Sequence, residues 1–331
     1  MQVLVTGGAG FLGQRLARTM LEMGGLNLAG GGERAISTLV LTDLVAPEQQ
    51  LMDDARVRFF AGDLNTVLAL TPSLVSESHL IVHLAAAVSG DCEADLDLGL
   101  HSNLDATLAL LQAARHGDRC PVFVYASSVA VFGAMSGLPL PPAIEDNTLP
   151  APQSSYGIQK FTGEQLVADF TRRGLVDGRN VRLMTVAVRP GRPNGAASGF
   201  LSGMVREPLA GLRAVVPVPP ETRVALATPT NTIAGLLCAM QSTQRQWGPR
   251  TAVNLPALST TVGEMAEALV RAAGTEAAQL LDWSLDARIT SIVGGWPSRF
   301  HAQRAHDLGL RADSSVDALL QEYIETVRPI K

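Results

Sequence analysis

Four glycines in the first thirteen residues, Gly7, Gly8, Gly10 and Gly13, constrain this chain more than any other feature. A short apolar run, Gln2 to Thr6, comes before them. Its β-branched Val3 and Val5 suit a buried strand. After them, Gln14 to Met23 reads as a helix, with Leu12, Leu16, Ala17 and Met20 on one face. Strand, glycine turn and helix in that order form the context of a dinucleotide-phosphate loop. Gly7 lets the chain turn tightly, Gly10 lets backbone approach a pyrophosphate, and Gly13 lets helix lie close on strand. The helix start offers unpaired N–H groups and a positive dipole, so it holds an anion without a lysine.

The rest of the first half continues the same alternation. Gly24 to Ser37 carries five glycines and reads as an exposed insertion. Thr38 to Thr42 is a second strand, with Asp43 at its C-terminal end. An acid there accepts from the adenosine ribose hydroxyls and repels a 2′-phosphate, which selects NAD over NADP. Val57 to Ala61 is a third strand, followed by Asp63-Leu64. Asp63 either meets the adenine amine or caps the next helix. His79 to Leu84 is a fully apolar fourth strand, covered on both faces. It opens into Ala85, Ala86 and Ala87, small residues that either leave room for a ligand or simply pack closely. Val88 to Gly99 is polar and acidic, and Leu100 to Arg115 is a long helix containing Asn103.

Pro121 to Ala126 is a fifth strand ending at Ser127-Ser128, where α/β enzymes place their chemistry. A proline-rich loop, Leu138 to Pro152, leads into a helix from Ser154 towards Arg173. Tyr156 and Lys160 are four apart on it and share a face. Val181 to Val188 is a sixth strand, ending in Arg189-Pro190-Gly191. Beyond it the rhythm changes, with helices expected over Ala196 to Gly211, within Leu226 to Met240 and over Thr261 to Gly274. Trp283, Trp296 and Phe300 are available as a small core. The expected fold is α/β: a Rossmann-type doubly wound parallel sheet over 1–190, then a smaller C-terminal substrate-binding lid over 191–331. A strand near 251–256 returns to the first domain.

Bulk properties narrow the function. A net charge of −5 without a basic stripe predicts no nucleic-acid partner. No apolar run is long enough to span a bilayer, and Met1 leads straight into a strand, so neither a membrane span nor a signal peptide is expected. Cys92, Cys120 and Cys238 show no metal or disulfide spacing, which fits buried thiols in a reducing cytoplasm and no metal site.

The chemistry follows from three side chains. A free tyrosine titrates near pH 10 (about 10) and is a poor base at neutrality. A neighbouring ammonium favours its phenolate, as does a positive nicotinamide ring. A serine hydroxyl holds the substrate oxygen against the tyrosine. Tyr156 then takes an alcohol proton while a hydride leaves the same carbon for nicotinamide.

In order along the chain stand the glycine turn, Asp43, Asp63-Leu64, His83-Leu-Ala-Ala86, Asn103, Ser127-Ser128, Tyr156-x-x-x-Lys160 and Arg189-Pro190-Gly191. This set resembles the extended short-chain dehydrogenase/reductases over roughly the first 195 residues. The resemblance implies that Tyr156 is the base, that Lys160 lowers its pKa and binds the nicotinamide ribose, and that Ser128 orients the substrate oxygen. Ser128 is preferred to Ser127 because it immediately precedes Val129 to Gly133. Phe132 stands where many members carry tyrosine. For NAD itself the resemblance implies contacts from Gly7, Gly10, Phe11, Leu12, Gly13, Asp43, Asp63, Leu64, Leu84, Ala85, Ala86, Asn103, Tyr156, Lys160 and Pro190.

Further stretches, among them Ala87 to Asp91, Asn103 to Thr107, Arg189 to Asn194 and Arg206 to Leu209, resemble a branch acting on sugar acids. Its members use NAD to oxidise the 2-hydroxyl of a four-carbon sugar acid. Such an enzyme needs one cation for a carboxylate and a few polar groups for hydroxyls. Arg192 and Arg206 are candidate carboxylate partners, with Ser89 and Asn194 as hydroxyl contacts beside Ser128 and Tyr156. Two other readings stand beside this one: a nucleotide-sugar epimerase or dehydratase that returns the hydride, and a non-catalytic dinucleotide sensor. The resemblance also implies a homodimer paired through the helices carrying Asn103 and Tyr156.

Overall fold

The computed structural model describes residues 1–191 and 195–327. Seven parallel strands, most of them apolar runs, form its central sheet. In chain order these are β1 (Gln2–Thr6), β2 (Thr38–Asp43), β3 (Val57–Ala61), β4 (Leu80–His83), β5 (Val122–Ser128), β6 (Asp177–Leu183) and β7 (Val253–Asn254). Across the sheet they lie β7-β6-β5-β4-β1-β2-β3. Because side chains alternate along a strand, each strand serves two cores. Val3, Val5, Leu39, Leu41, Val82 and Val124 pack on one face with α1 (Phe11–Met23). Leu4, Val40, Ile81 and Phe123 pack on the other with α2 (Ala106–Arg115) and α3 (Ser155–Arg172). The chain reverses its direction of strand addition between β1 and β4, and the crevice beyond their C-terminal ends is where such sheets bind ligands.

Three expectations are corrected. Gly24 to Ser37 is exposed over Gly30 to Ala35, as expected, but it is an antiparallel hairpin, Gly25–Asn27 against Glu33–Ala35, rather than a plain loop. Leu26, Leu28 and Ile36 are buried in the core with α1; the glycines concealed three aliphatic side chains aimed one way. The sixth strand starts earlier, at Asp177, and ends at Leu183. Its polar residues hid it, although Arg179, Asn180 and Arg182 are all buried. After Met184 the chain enters a separate three-stranded sheet, with Thr185–Val186 beside Arg223–Ala227, which pairs in turn with antiparallel Leu258–Thr261.

The second core is aliphatic rather than aromatic. Leu201, Val205, Val216, Val262, Met265, Leu269 and Leu319 fill it, while Trp283 is exposed and Trp296 sits at its margin. Phe300 instead meets Phe132, 6.2 Å between ring centroids. Core membership does not divide at Pro190. Besides β7, the helix α4 (Pro229–Gln241) packs Ile233, Leu236 and Met240 into the α1 side of the central sheet.

Candidate active site

The glycine turn after β1 is shaped by close approach. Gly7 has φ +69°, and a Cβ there would stand 2.7 Å from the Ala85 nitrogen; one on Gly13 would stand 2.1 Å from the Gly7 carbonyl oxygen. Ala85 therefore packs against the turn, while Leu84 and Ala86 line the cavity above it. At Gly10 the only atom a Cβ would meet within contact distance is the Gly7 oxygen, at 3.2 Å. Helix α1 begins at Phe11 with no side-chain cap and no acid in its first turn. Its first amides are thus left for an anion. Asp43 braces this loop: Oδ2 accepts from the Ala9 and Gly10 amides at 2.9 and 3.1 Å, and Oδ1 accepts from Leu44 at 2.7 Å.

A cavity of about 280 Å³ runs from Gly7, Gly10, Phe11, Leu12 and Gly13 across the end of β5 to Tyr156, Lys160 and Arg189, and closes against Ser198 and Trp296. Ser154 caps α3 by accepting from the Gly157 amide. Gly157 lets that helix press on the turn after β5, since a Cβ there would lie 2.1 Å from the Ala130 oxygen. This contact sets Tyr156 opposite Ser128, whose hydroxyl favours the phenolate. Both serines line the cavity, and their partners tell them apart. The Ser128 hydroxyl meets Tyr156 and accepts from the Ala130 amide at 3.1 Å, whereas the Ser127 hydroxyl is buried and donates to Glu164 at 2.5 Å.

The electrostatics differ from the expectation that Lys160 makes the phenol acidic. Burial pushes Tyr156 up to about 12, with Ser128 and Arg189 opposing the rise and Cys92 adding to it. Burial also pulls Lys160 down to about 8, opposed by Cys92 and Glu164. Lys160 Nζ donates to the Ala126 carbonyl at 2.9 Å and lies 5.8 Å from the Tyr156 ring centroid. In the protein alone, desolvation outweighs the mutual benefit of opposite charges.

Several expected contacts fall elsewhere. Asn103 does not line the cavity. Its amide accepts from Ala87 N at 2.8 Å and donates to Ala87 O and Gln159 Oε1, which ties the loop after β4 to α3. Asp63 takes its capping role, accepting from the Thr66 amide at 3.1 Å, and its second oxygen meets His101 Nε2 at 2.9 Å. Leu64 is buried in the core beside it, and Pro190 stands outside the cavity lining. Ser89 lines the cavity and accepts from the Ala197 amide at 3.1 Å. Arg206 is corrected as a cavity cation: it pairs with Glu207 at 2.5 Å and donates to the Arg189 carbonyl at 2.9 Å. Arg192 and Asn194 lie outside the described residues.

Sequence reasoning missed Arg189 as a site residue. Arg189 lines the cavity, its charge lowers the Tyr156 pKa, and it forms no ion pair with a carboxylate among the described residues. The signal was its place at the end of an expected strand, three positions before the arginine chosen instead.

The model of the NAD dependent epimerase/dehydratase family matches residues 3–249. The chain is 48% identical to D-erythronate dehydrogenase of Cupriavidus necator over 325 residues, covering 98% of both chains. It is 39% identical to D-erythronate dehydrogenase of Haemophilus influenzae, covering 98% of this chain and 99% of that one. Among solved structures, that of a nucleoside-diphosphate-sugar epimerase from Agrobacterium tumefaciens superposes with a TM-score of 0.89 at 37% identity, covering 99% of this chain and 94% of that one.

Proposed function

The chain belongs to the NAD dependent epimerase/dehydratase family, and we propose that it oxidises the 2-hydroxyl of D-erythronate to the 2-keto acid. It is an NAD-dependent dehydrogenase, like the relatives it matches along nearly its whole length. The glycine turn, the uncapped start of α1 and Asp43 fit the pyrophosphate and ribose of NAD. When bound, NAD supplies the hydride acceptor and a positive ring.

The protein's own residues do the rest. Ser128 donates to the substrate oxygen and sets the hydroxyl against Tyr156. The Tyr156 phenolate takes the hydroxyl proton as the C2 hydrogen departs with its electron pair, leaving a carbonyl at C2. The Lys160 ammonium, held by the Ala126 carbonyl, favours that phenolate once the site is filled. Arg189 is the cation for the substrate carboxylate, with Ser89 and Ser198 near enough to receive hydroxyls.

The observation carrying this reading is a single cavity that joins Tyr156, Ser128 and an arginine with no acidic partner among the described residues. A nucleotide sugar needs further grip on two phosphates and a base, and Lys160 and Arg189 are the only cations among the described lining residues. The test is a panel of sugar acids and nucleotide sugars followed at the reduced-nicotinamide absorbance. Net NADH with D-erythronate supports the reading. Turnover of a nucleotide sugar without net NADH assigns the protein to epimerase or dehydratase chemistry instead.

The same reading includes a homodimer in the cytoplasm. Leu96, Leu98, Leu100, Leu108 and Ile158 are exposed on the segments around α2 and α3, a surface suited to a second copy. No disulfide joins the three cysteines, and no helix among the described residues is long and apolar enough to cross a membrane.

A further inference from the structure

A second buried polar cluster lies directly behind Tyr156 and Lys160, and the chemistry above does not use it. Glu164 continues their four-residue spacing on α3, so the three share a helix face. Its carboxylate is buried, as are Arg182 and Ser127. Oε1 accepts from Ser127 Oγ at 2.5 Å and from Arg182 Nε at 2.8 Å, while Oε2 accepts from Arg182 Nη2 at 2.7 Å. The Asn180 side chain donates to the Glu164 carbonyl at 3.0 Å. A buried ion pair is weak evidence for stability, because its desolvation offsets its attraction. Its placement here suggests a different use.

Ser127 sits between the two groups of β5 that serve the site. On one side the Ala126 carbonyl receives the Lys160 ammonium. On the other, Ser128 faces Tyr156. Neighbouring side chains of a strand point to opposite faces. A clamp on Ser127 from behind therefore fixes the rotation of the strand end on both sides.

We propose that Glu164 is a positioning residue for the proton transfer: held by Arg182, it grips Ser127 and so sets the strand end that presents Ala126 to Lys160 and Ser128 to Tyr156. This rests on Tyr156 and Lys160 being the proton-transfer pair. Besides Glu164 and Tyr156 on its own helix, Lys160 is faced by the Cys92 thiol, by the Tyr125 ring at 5.0 Å and by neutral His83. Glu164 is thus the one carboxylate among the groups acting on it.

Lys160 and Lys331 are the only lysines in the chain. Lysine-selective isotope labelling therefore gives two side-chain NMR signals, which Lys160→Met assigns. The measurements are made on NAD-loaded enzyme, with Ser127→Ala and Glu164→Gln beside wild type. In Ser127→Ala the ion pair is intact. Its kcat is expected to fall about tenfold or more while KM for both substrates stays within about twofold. Its Lys160 signal moves and its melting temperature holds. In Glu164→Gln the Lys160 titration midpoint falls, because its nearest carboxylate is gone and Arg182 is unmasked.

Glu164→Gln strands a buried arginine, so Ser127→Ala decides. Wild-type kcat in that variant overturns the proposal. So does a loss of kcat with an unmoved Lys160 signal, or one accounted for by a collapse in melting temperature. Tyr156→Phe is run alongside: if it keeps turnover, the proton-pair reading fails rather than this inference.

Discussion

Replacing Lys160 with methionine is expected to abolish turnover and at the same time stabilise the cofactor-free protein. Burial holds this amine at about 8, against 10.5 for a free lysine. At about 1.4 kcal/mol per pKa unit, keeping it protonated costs the fold roughly 3 kcal/mol at pH 7. Methionine fills similar volume without charge, but leaves the Ala126 carbonyl short of the bond at 2.9 Å, a loss of about 1 kcal/mol. The net gain is about 2 kcal/mol. For 331 residues, an unfolding entropy of about 2 cal/mol/K per residue converts that to a rise of about 3 °C.

The pH dependence has a fixed sign. Below about 8 both folded and unfolded chains carry the proton, and the cost is fully present. Between 8 and 10.5 the unfolded chain keeps a proton that the folded chain has released, so wild-type stability rises with pH relative to the variant. The gap should shrink to about 1 °C or less at pH ~9.5. Thermal unfolding without cofactor at the two pH values measures it. A variant that melts below wild type at neutral pH, or a gap that ignores pH, refutes the desolvation argument.

The other expected outcomes are simpler. Arg189→Met should lower kcat/KM for the sugar acid about a hundredfold, as loss of a charge-assisted carboxylate contact predicts. Because Arg189 also lowers the Tyr156 pKa, the acid limb of the rate profile should move to higher pH; an unchanged KM and limb would remove Arg189 from the site. Asp43→Ala should raise KM for NAD about tenfold and erode discrimination against NADP, since it frees the loop amides and removes the repelling charge. Retained discrimination would show that another group selects the cofactor. Gly13→Ala places a Cβ 2.1 Å from a backbone oxygen, and should destabilise by about 3 kcal/mol or more in denaturant titration.

What could be read from the sequence was whatever local periodicity and glycine placement express. Val3, Leu39, Leu80 and Val122 lie in apolar runs, and all are in strands of the central sheet. Tyr156 and Lys160 declare their shared face by spacing alone. What escaped was anything decided by partners far along the chain. Arg179 and Arg182 gave no sign of burial in the sequence, yet both are buried, paired with Asp177 and Glu164. Arg206 was chosen as a free cation because Glu207 beside it gave no hint that the two pair. The raised Tyr156 pKa was equally hidden, since it comes first from burial, and the groups that modify it, Ser128, Cys92 and Arg189, arrive from separate elements. Asn103 was given to the cofactor, while its side-chain hydrogen bonds run to Ala87, Cys92 and Gln159.

The most direct test follows a single atom. D-erythronate carrying deuterium at C2 is incubated with the protein and NAD, and the nicotinamide product is weighed by mass spectrometry. One deuterium on the reduced ring, formed in step with the 2-keto acid and absent with Tyr156→Phe, is the predicted result. Reduced cofactor without the label, or label retained on a sugar product with no net reduced cofactor, would contradict it.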